Sequence, residues 1–258
     1  MKKLQLLLVF LLKLAMAHSQ IMANFAKDTS NYPNIRNRIS DQNFFLKMDS
    51  NSVDAYSKRL VLEYELGEYN ACIRDSYKVL KLRPNSAYAY CNIGMSYCFL
   101  KDNDKALEAL RTAVKMEPNE AINYLNLAYA ESQAGEYENA ILHLTKAIYI
   151  KPDYAKAYAN RGFAKKKIGL DKEAIEDYNK AIELNPRYEE VYFNRGFAKF
   201  NTGDYTGAIA DYNKAIELQP AFDCTEFYNA RADAYEKLGD TANASADRAK
   251  AEKLKHNP

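Results

Sequence analysis

The chain has 258 residues, 48% apolar and 27% charged, with 36 lysines and arginines against 34 aspartates and glutamates. That is the composition of an ordinary globular protein with length enough for a sizeable core, and it excludes extensive disorder. The first seventeen residues hold three lysines and no acid, so the remainder is about neutral and no whole-protein field draws it toward nucleic acid.

At the N-terminus, Lys2 and Lys3 precede an apolar run from Leu4 to Leu12, and Ala15-Met16-Ala17 follows. Basic, apolar and small-residue sections in this order predict a secretory signal peptide over 1–17, cleaved after Ala17, and an extracytoplasmic location: secreted, or periplasmic in a Gram-negative source. A membrane anchor fits less well. Fourteen residues at helical rise reach about 21 Å into a hydrocarbon core of roughly 30 Å, and Lys13 interrupts the run. No stable membrane span is expected in the mature chain. Residues 18–40 read as a loose tail, and 41–52, with Phe44, Phe45, Leu46 and Met48, as a capping half-repeat.

From there a period governs the chain. Pro84, Pro118, Pro152, Pro186 and Pro220 are each 34 residues apart. With this proline at repeat position 32, six repeats span 53–86, 87–120, 121–154, 155–188, 189–222 and 225–258, the last after a two-residue insertion. Position 4 is then Tyr56, Tyr90, Tyr124, Tyr158, Tyr192 and Tyr228. Position 20 is Cys72 and then five alanines, and position 27 is Val79 and then five alanines. Position 8 is small in five repeats: Gly94, Ala128, Gly162, Gly196 and Ala232.

Each repeat divides into two apolar-periodic helices. They are broken at position 15 by Gly67, Gly135, Gly169, Gly203 and Gly239, with Lys101-Asp102-Asn103 at the corresponding place in repeat 2. Proline stops the second helix, and Asn85, Asn119 or Asp153 is expected to cap the next first helix. Small residues at 8, 20 and 27 let two backbones approach closely, while the tyrosine column fills the space between neighbouring pairs. Cys91 and Cys98 are seven residues apart on one helix, about 10 Å and too far to bridge, and Cys72 and Cys224 read as buried or unpaired thiols.

These columns resemble the tetratricopeptide repeat family, which has 34-residue helix-turn-helix repeats with the same small positions and the same proline. The resemblance covers roughly residues 53 to 255. It implies an all-α fold, a right-handed α-α superhelix of six repeats with an N-terminal half-repeat, whose first helices line a concave groove that binds peptides or proteins. Leu60 departs from the small position 8 in repeat 1, and Arg248 from the bulky position 24 in repeat 6.

A second pattern comes from the chain itself. Position 7 is Arg59, Arg161, Arg195 and Arg231 in four repeats, and position 23 in those repeats is Asp75, Asp177, Asp211 and Asp247. The other two repeats have Ile93 with Ala109, and Leu127 with His143. Arginine and aspartate come and go together, which predicts an ion pair between the two helices of one repeat.

By the resemblance and by helical spacing, positions 2, 5, 6, 9, 12 and 13 face the groove. Position 6 is Asn92, Asn126, Asn160 and Asn194, either a ladder of amides for an extended backbone or solvated side chains. Position 9 is Met95, Tyr129, Phe163 and Phe197, an apolar stripe that either meets a ligand or packs between adjacent helices. Tyr88, Phe99, Leu125, Phe193 and Phe200 are expected to extend it, and Lys156, Lys166 and Lys167 to add positive charge. Cochaperones of the family that grip a C-terminal carboxylate need a set of Lys, Asn and Arg at positions 5, 9, 6, 2 and 6 of three successive repeats, which this chain lacks.

Catalysis is not expected. His18, His143 and His256 have no partner set for a triad, and there is no phosphate-cradling glycine loop, HExxH or metal-ligand spacing. No cofactor, metal or nucleic-acid partner is expected either. The pattern predicts a non-catalytic scaffold for a protein or peptide, against two alternatives: a glycan- or envelope-polymer-binding module and a self-assembling structural solenoid.

Overall fold

The computed structural model describes residues 32–218 and 224–256, which form thirteen helices and no strand. They fall into two compact units, one ending at Met116 and the other beginning at Glu117. The first holds α1 (Tyr32–Met48), α2 (Val53–Glu65), α3 (Tyr69–Leu82), α4 (Ala87–Phe99) and α5 (Asn103–Met116). The second holds α6 (Ala121–Ala134), α7 (Tyr137–Ile150), α8 (Ala155–Lys167), α9 (Asp171–Leu184), α10 (Glu189–Asn201), α11 (Tyr205–Leu218), α12 (Thr225–Lys237) and α13 (Thr241–His256). Within each unit every helix packs on the next in sequence, and first helices of adjacent repeats also touch: α2 with α4, α6 with α8, α8 with α10, and α10 with α12. The chain is thus all-α, built as stacked helix hairpins in the predicted register.

Two boundaries differ from expectation. Helix α1 starts at Tyr32, so the residues up to Ser40 that read as loose tail are helical and run into the predicted cap. Ile35, Ile39, Gln42 and Leu46 explain this, because their spacing puts all four on one half-buried stripe. The helix ends at Met48, 34 residues before α3 ends at Leu82, so it is a second helix in register with the repeats. The predicted signal peptide over 1–17 and the rest of the tail lie outside the described residues, as does Pro220.

The first-helix caps also sit one residue later than expected. Helices α2 and α4 are capped by Ser52 and Ser86, whose hydroxyls each accept from the backbone N–H three residues on at 3.3 Å. Each first helix in repeats 1 to 5 begins at position 1, so the capping place is position 34 and not the position of Asn85, Asn119 or Asp153. Second helices in repeats 2, 5 and 6 are capped by Asp102, Asp204 and Asp240 at position 16, each accepting from a backbone N–H three residues on. The five position-15 glycines have φ between 75° and 87°, and Lys101 takes the same left-handed conformation at 63°.

The core rests on one pair of columns, positions 8 and 24. A Cβ placed on Gly162 would lie 2.8 Å from the Tyr178 ring, and one on Gly196 would lie 2.7 Å from Tyr212. On Gly94 it would meet Leu110. Where position 8 is alanine, at Ala128, position 24 is the smaller Leu144, and both are buried. Repeat 1 inverts the order: Leu60 and Ser76 are both fully buried, large on the first helix and small on the second. The departure at Leu60 is therefore compensated inside its own repeat.

This complementarity is testable. Gly162→Ala should lower stability by about 1–3 kcal/mol, because the rigid Tyr178 ring cannot yield. Adding Tyr178→Leu should recover most of that loss in urea denaturation, since it restores the pairing of Ala128 with Leu144 and removes a buried hydroxyl that has no hydrogen-bond partner. A double variant less stable than Gly162→Ala alone would contradict it.

Candidate functional site

All four predicted ion pairs form within their own repeats. Arg59 meets Asp75 through Nε and Nη2 at 2.6 and 2.7 Å, and Arg161 meets Asp177 at 2.9 and 2.6 Å. Arg195 meets Asp211 at 2.9 and 2.6 Å, and Arg231 meets Asp247 at 2.7 and 2.6 Å. Each is a two-bond fork onto a buried aspartate. The third guanidinium nitrogen, Nη1, donates to the second helix of the preceding repeat: to Asn43, Thr145, Asn179 and Asn213. Each guanidinium also lies 5.3–5.5 Å from the ring of the position-4 tyrosine. Two of those tyrosines, Tyr56 and Tyr192, donate at 3.2 Å to the carbonyl six residues upstream, as does Tyr124 in repeat 3. Arginine therefore joins two helices of one repeat to a third helix of its neighbour, which makes it a structural hub and not an exposed ligand cluster.

Sequence reading missed position 11, which completes these networks. Lys165 and Lys199 stand there in repeats 4 and 5 and reach Asp177 and Asp211 at 2.8 and 2.9 Å. In repeat 3 it is Glu131, 1% exposed, which meets His143 Nδ1 at 2.8 Å. His143 thus has a carboxylate partner, with the residue types exchanged between the helices: the carboxylate on the first and the imidazole on the second. In repeat 1 it is Glu63, a second acid beside Asp75. Burial first, and then the Asp75 charge, raise its carboxyl from 4.5 to about 7, against the opposing pull of Arg59. The signal was the column itself, which places a charged residue, Glu63, Glu131, Lys165 or Lys199, at a buried-face position in four of the six repeats.

The predicted groove residues lie on the walls of the two units and are not equivalent. In the first unit Asn92 and Met95 are half-buried and Tyr88 is 47% exposed. Phe99 is not a free wall residue: it stacks on Tyr69 at 4.8 Å and meets Tyr64 edge-on. In the second unit Asn126, Tyr129, Asn160, Phe163 and Asn194 are half-buried, Lys156 is exposed and Phe197 is 43% exposed. Leu125 is buried, and Phe193 and Phe200 pack on the core around Tyr212, with Phe193 4.5 Å from Phe227. These three do not extend the stripe, because positions 5 and 12 fall at the seam between neighbouring first helices. Ile122, which sequence reading passed over, is 46% exposed at position 2, the column of Tyr88 and Lys156.

The asparagines are partly spent inside the protein. Asn92 and Asn194 each donate to the carbonyl one turn back, at 2.8 and 2.9 Å. Asn194 also accepts from Lys166 Nζ at 2.6 Å. Lys166 lies 5.5 Å from the Phe163 ring centroid and 5.1 Å from that of Phe197, and Lys167 approaches Phe163 at 5.1 Å. Burial, and then repulsion from Lys167, lower the Lys166 ammonium from 10.5 to about 8. Glu190 touches solvent yet is crowded by the wall, and its carboxyl is raised by that burial and by Glu189, with Lys156 opposing. All four cysteines are buried, and burial holds Cys72 and Cys98 up at about 11, away from nucleophilic use. Among the described residues no three metal-ligating side chains cluster, and no helix is long and apolar enough to cross a membrane.

Sequence profiles described as TPR repeat match residues 128–169 and 171–203, and profiles described as tetratricopeptide repeat match 87–120, 189–222 and 225–257. Comparison with curated proteins returns no match. Among solved structures, MamA is 28% identical with a TM-score of 0.56, over 65% of this chain and 92% of that one. MamA from Desulfovibrio magneticus RS-1 is 20% identical with a TM-score of 0.61, over 66% and 95%. PilW, a type IV pilus biogenesis factor, is 18% identical with a TM-score of 0.74, over 80% and 94%. The last two show the shared fold. The chain belongs to the tetratricopeptide repeat family, whose repeats build protein-interaction scaffolds.

The networks carry two expectations. Asp247 has Arg231 as its one ion-pair partner among the described residues, whereas Asp211 keeps Lys199 when Arg195 is lost. Arg231→Leu should therefore cost roughly 3–5 kcal/mol and Arg195→Leu about half that, with Asp247→Ala restoring much of the former. Hydrogen exchange across α10 to α13 measures both. For Glu63 the raised value means that its stabilising contribution is complete below about pH 4.5 and disappears as pH rises through about 7. Glu63→Gln should thus leave stability at acid pH nearly unchanged and raise it at pH 8 by on the order of 2–3 kcal/mol, as read by thermal melts across that range.

Proposed function

We propose that this tetratricopeptide repeat protein is a non-catalytic scaffold that binds an extended peptide segment of a partner along the first helices of its second unit. The observation that carries this reading is the pair Phe163 and Phe197. At position 9, Phe163 on α8 is half-buried and Phe197 on α10 is exposed, whereas Phe193 and Phe200 of α10 are drawn into the core. Tyr129 and Ile122 continue the apolar surface on α6, and Asn126 and Asn160 offer amides beside it. Neutral amide contacts contribute only about 0.5–1.5 kcal/mol each, well short of the roughly 8 kcal/mol of micromolar binding. Burying two phenylalanine rings adds about 3–6 kcal/mol, so aromatic contact is the larger share.

The basic, apolar and small-residue order of the first seventeen residues supports a place of action outside the cytoplasm. Fusing residues 1–30 to a phosphatase active only after export tests that separately, with activity expected.

A photoreactive amino acid at residue 197 should capture a partner in cells, and the same probe at Leu142, exposed on a second helix, should not. For the captured segment, Phe163→Ala with Phe197→Ala should weaken binding at least tenfold in titration calorimetry, and Asn126→Ala with Asn160→Ala less. Equal capture at the two sites, or unchanged affinity, would remove this reading.

A further inference from the structure

The wall of the second unit holds a cation that the fold does not use. Lys166 stands at position 12, a column held in the other repeats by Tyr64, Cys98, Ser132 and Phe200 and, in the last repeat, by the exposed Glu236. Unlike Lys165 beside it, which pairs with Asp177, its ammonium has no carboxylate within ion-pair distance among the described residues. Its neighbours are the Asn194 oxygen and the faces of Phe163 and Phe197. Asp171, the nearest acid to influence it, is already engaged by the side-chain amide of Asn201. Lys167 adds a second positive charge over the Phe163 ring, and burial first, then repulsion from Lys167, disfavours the charged form of Lys166.

A crowded, like-charged and unpaired ammonium flanked by two rings is complementary to one kind of group: a carboxylate joined to apolar surface. We propose that Lys166, with Lys167 beside it and Phe163 and Phe197 as its walls, is a subsite for an aspartate or glutamate side chain of the bound peptide, next to an apolar residue seated on the rings. A side chain is favoured over a chain terminus because α8 is flanked by α6 and α10, whose position-9 rings, the half-buried Tyr129 and the exposed Phe197, continue the apolar surface on both sides. An extended segment therefore passes through. This rests on the peptide-binding reading above and adds the chemistry of the ligand. It also uses different positions from the C-terminal carboxylate grip that the sequence lacks.

The test is selection of random twelve-residue peptides displayed on phage with their C-termini fused, so that no free terminal carboxylate is present. The whole protein serves as bait, and the Phe163→Ala/Phe197→Ala variant as counter-screen. Clones lost on the counter-screen should be enriched in Asp or Glu adjacent to an apolar residue. For a synthetic, C-terminally amidated version of one such clone, Lys166→Met should weaken Kd at least tenfold. Exchanging the peptide's acid for its amide should do the same, and combining both should add little further. The Lys166→Met variant should fold at least as stably as the parent, since it removes a buried charge. Ring-dependent clones without acidic enrichment, or a Kd indifferent to Lys166→Met, would overturn the subsite while leaving peptide binding intact. If no clone depends on the rings, the groove reading falls, and the subsite with it.

Discussion

Everything in this fold depends on how closely the two helices of a repeat can approach, and that distance is set by the volume shared between positions 8 and 24. Glycine against tyrosine, glycine or alanine against leucine, and leucine against serine are three ways of filling the same gap. Interiors pack as tightly as organic crystals, so neither column can change alone without a void or a clash. With that gap closed, the alanines at 20 and 27 are brought into the core, and all are buried.

Close packing alone would leave helices free to slide, and the arginine hub removes that freedom. A planar guanidinium forks onto an aspartate of its own repeat, reaches a polar side chain of the preceding repeat, and lies against a tyrosine whose hydroxyl, in repeats 1 and 5, bonds the turn between them. Each contact fixes a different direction, so together they define register and not merely proximity. Repeat 3 keeps an inter-helix contact at this place, with the carboxylate on the first helix, as Glu131 and His143. Repeat 2 has apolar Ile93 and Ala109 instead, and there the interior is closed by Leu110 against Gly94.

The same economy shapes the candidate site. First helices that touch along one edge draw some side chains into their seams and leave others out, so Leu125 at position 5 is buried and Phe200 at position 12 packs on the core while Phe197 at position 9 is exposed. Lys166 puts a charge in a column that is otherwise charged only at the exposed Glu236 of the last repeat, and burial and then Lys167 oppose that charge. A cation left without its counterion where every other buried charge of its repeat is paired points outward, to a ligand.

Much of this was legible in the order of residues alone. The 34-residue period, the helix pairs, the position-15 turns and the Arg–Asp pairing all follow from columns of residue type, because a repeat that nests against copies of itself must satisfy the same constraint at the same place each time. Contacts that cross columns were not legible. The reach of Arg195 to Asn179, the partner of His143, the compensation of Leu60 by Ser76 and the retreat of Phe193 and Phe200 from the wall depend on which neighbour a side chain meets. The half-buried stripe of α1, from Ile35 to Leu46, likewise became visible only in its packing on α2. Periodicity is a property of the chain, but the choice between facing solvent and filling a seam is made by distances between helices, which exist only once the helices are stacked.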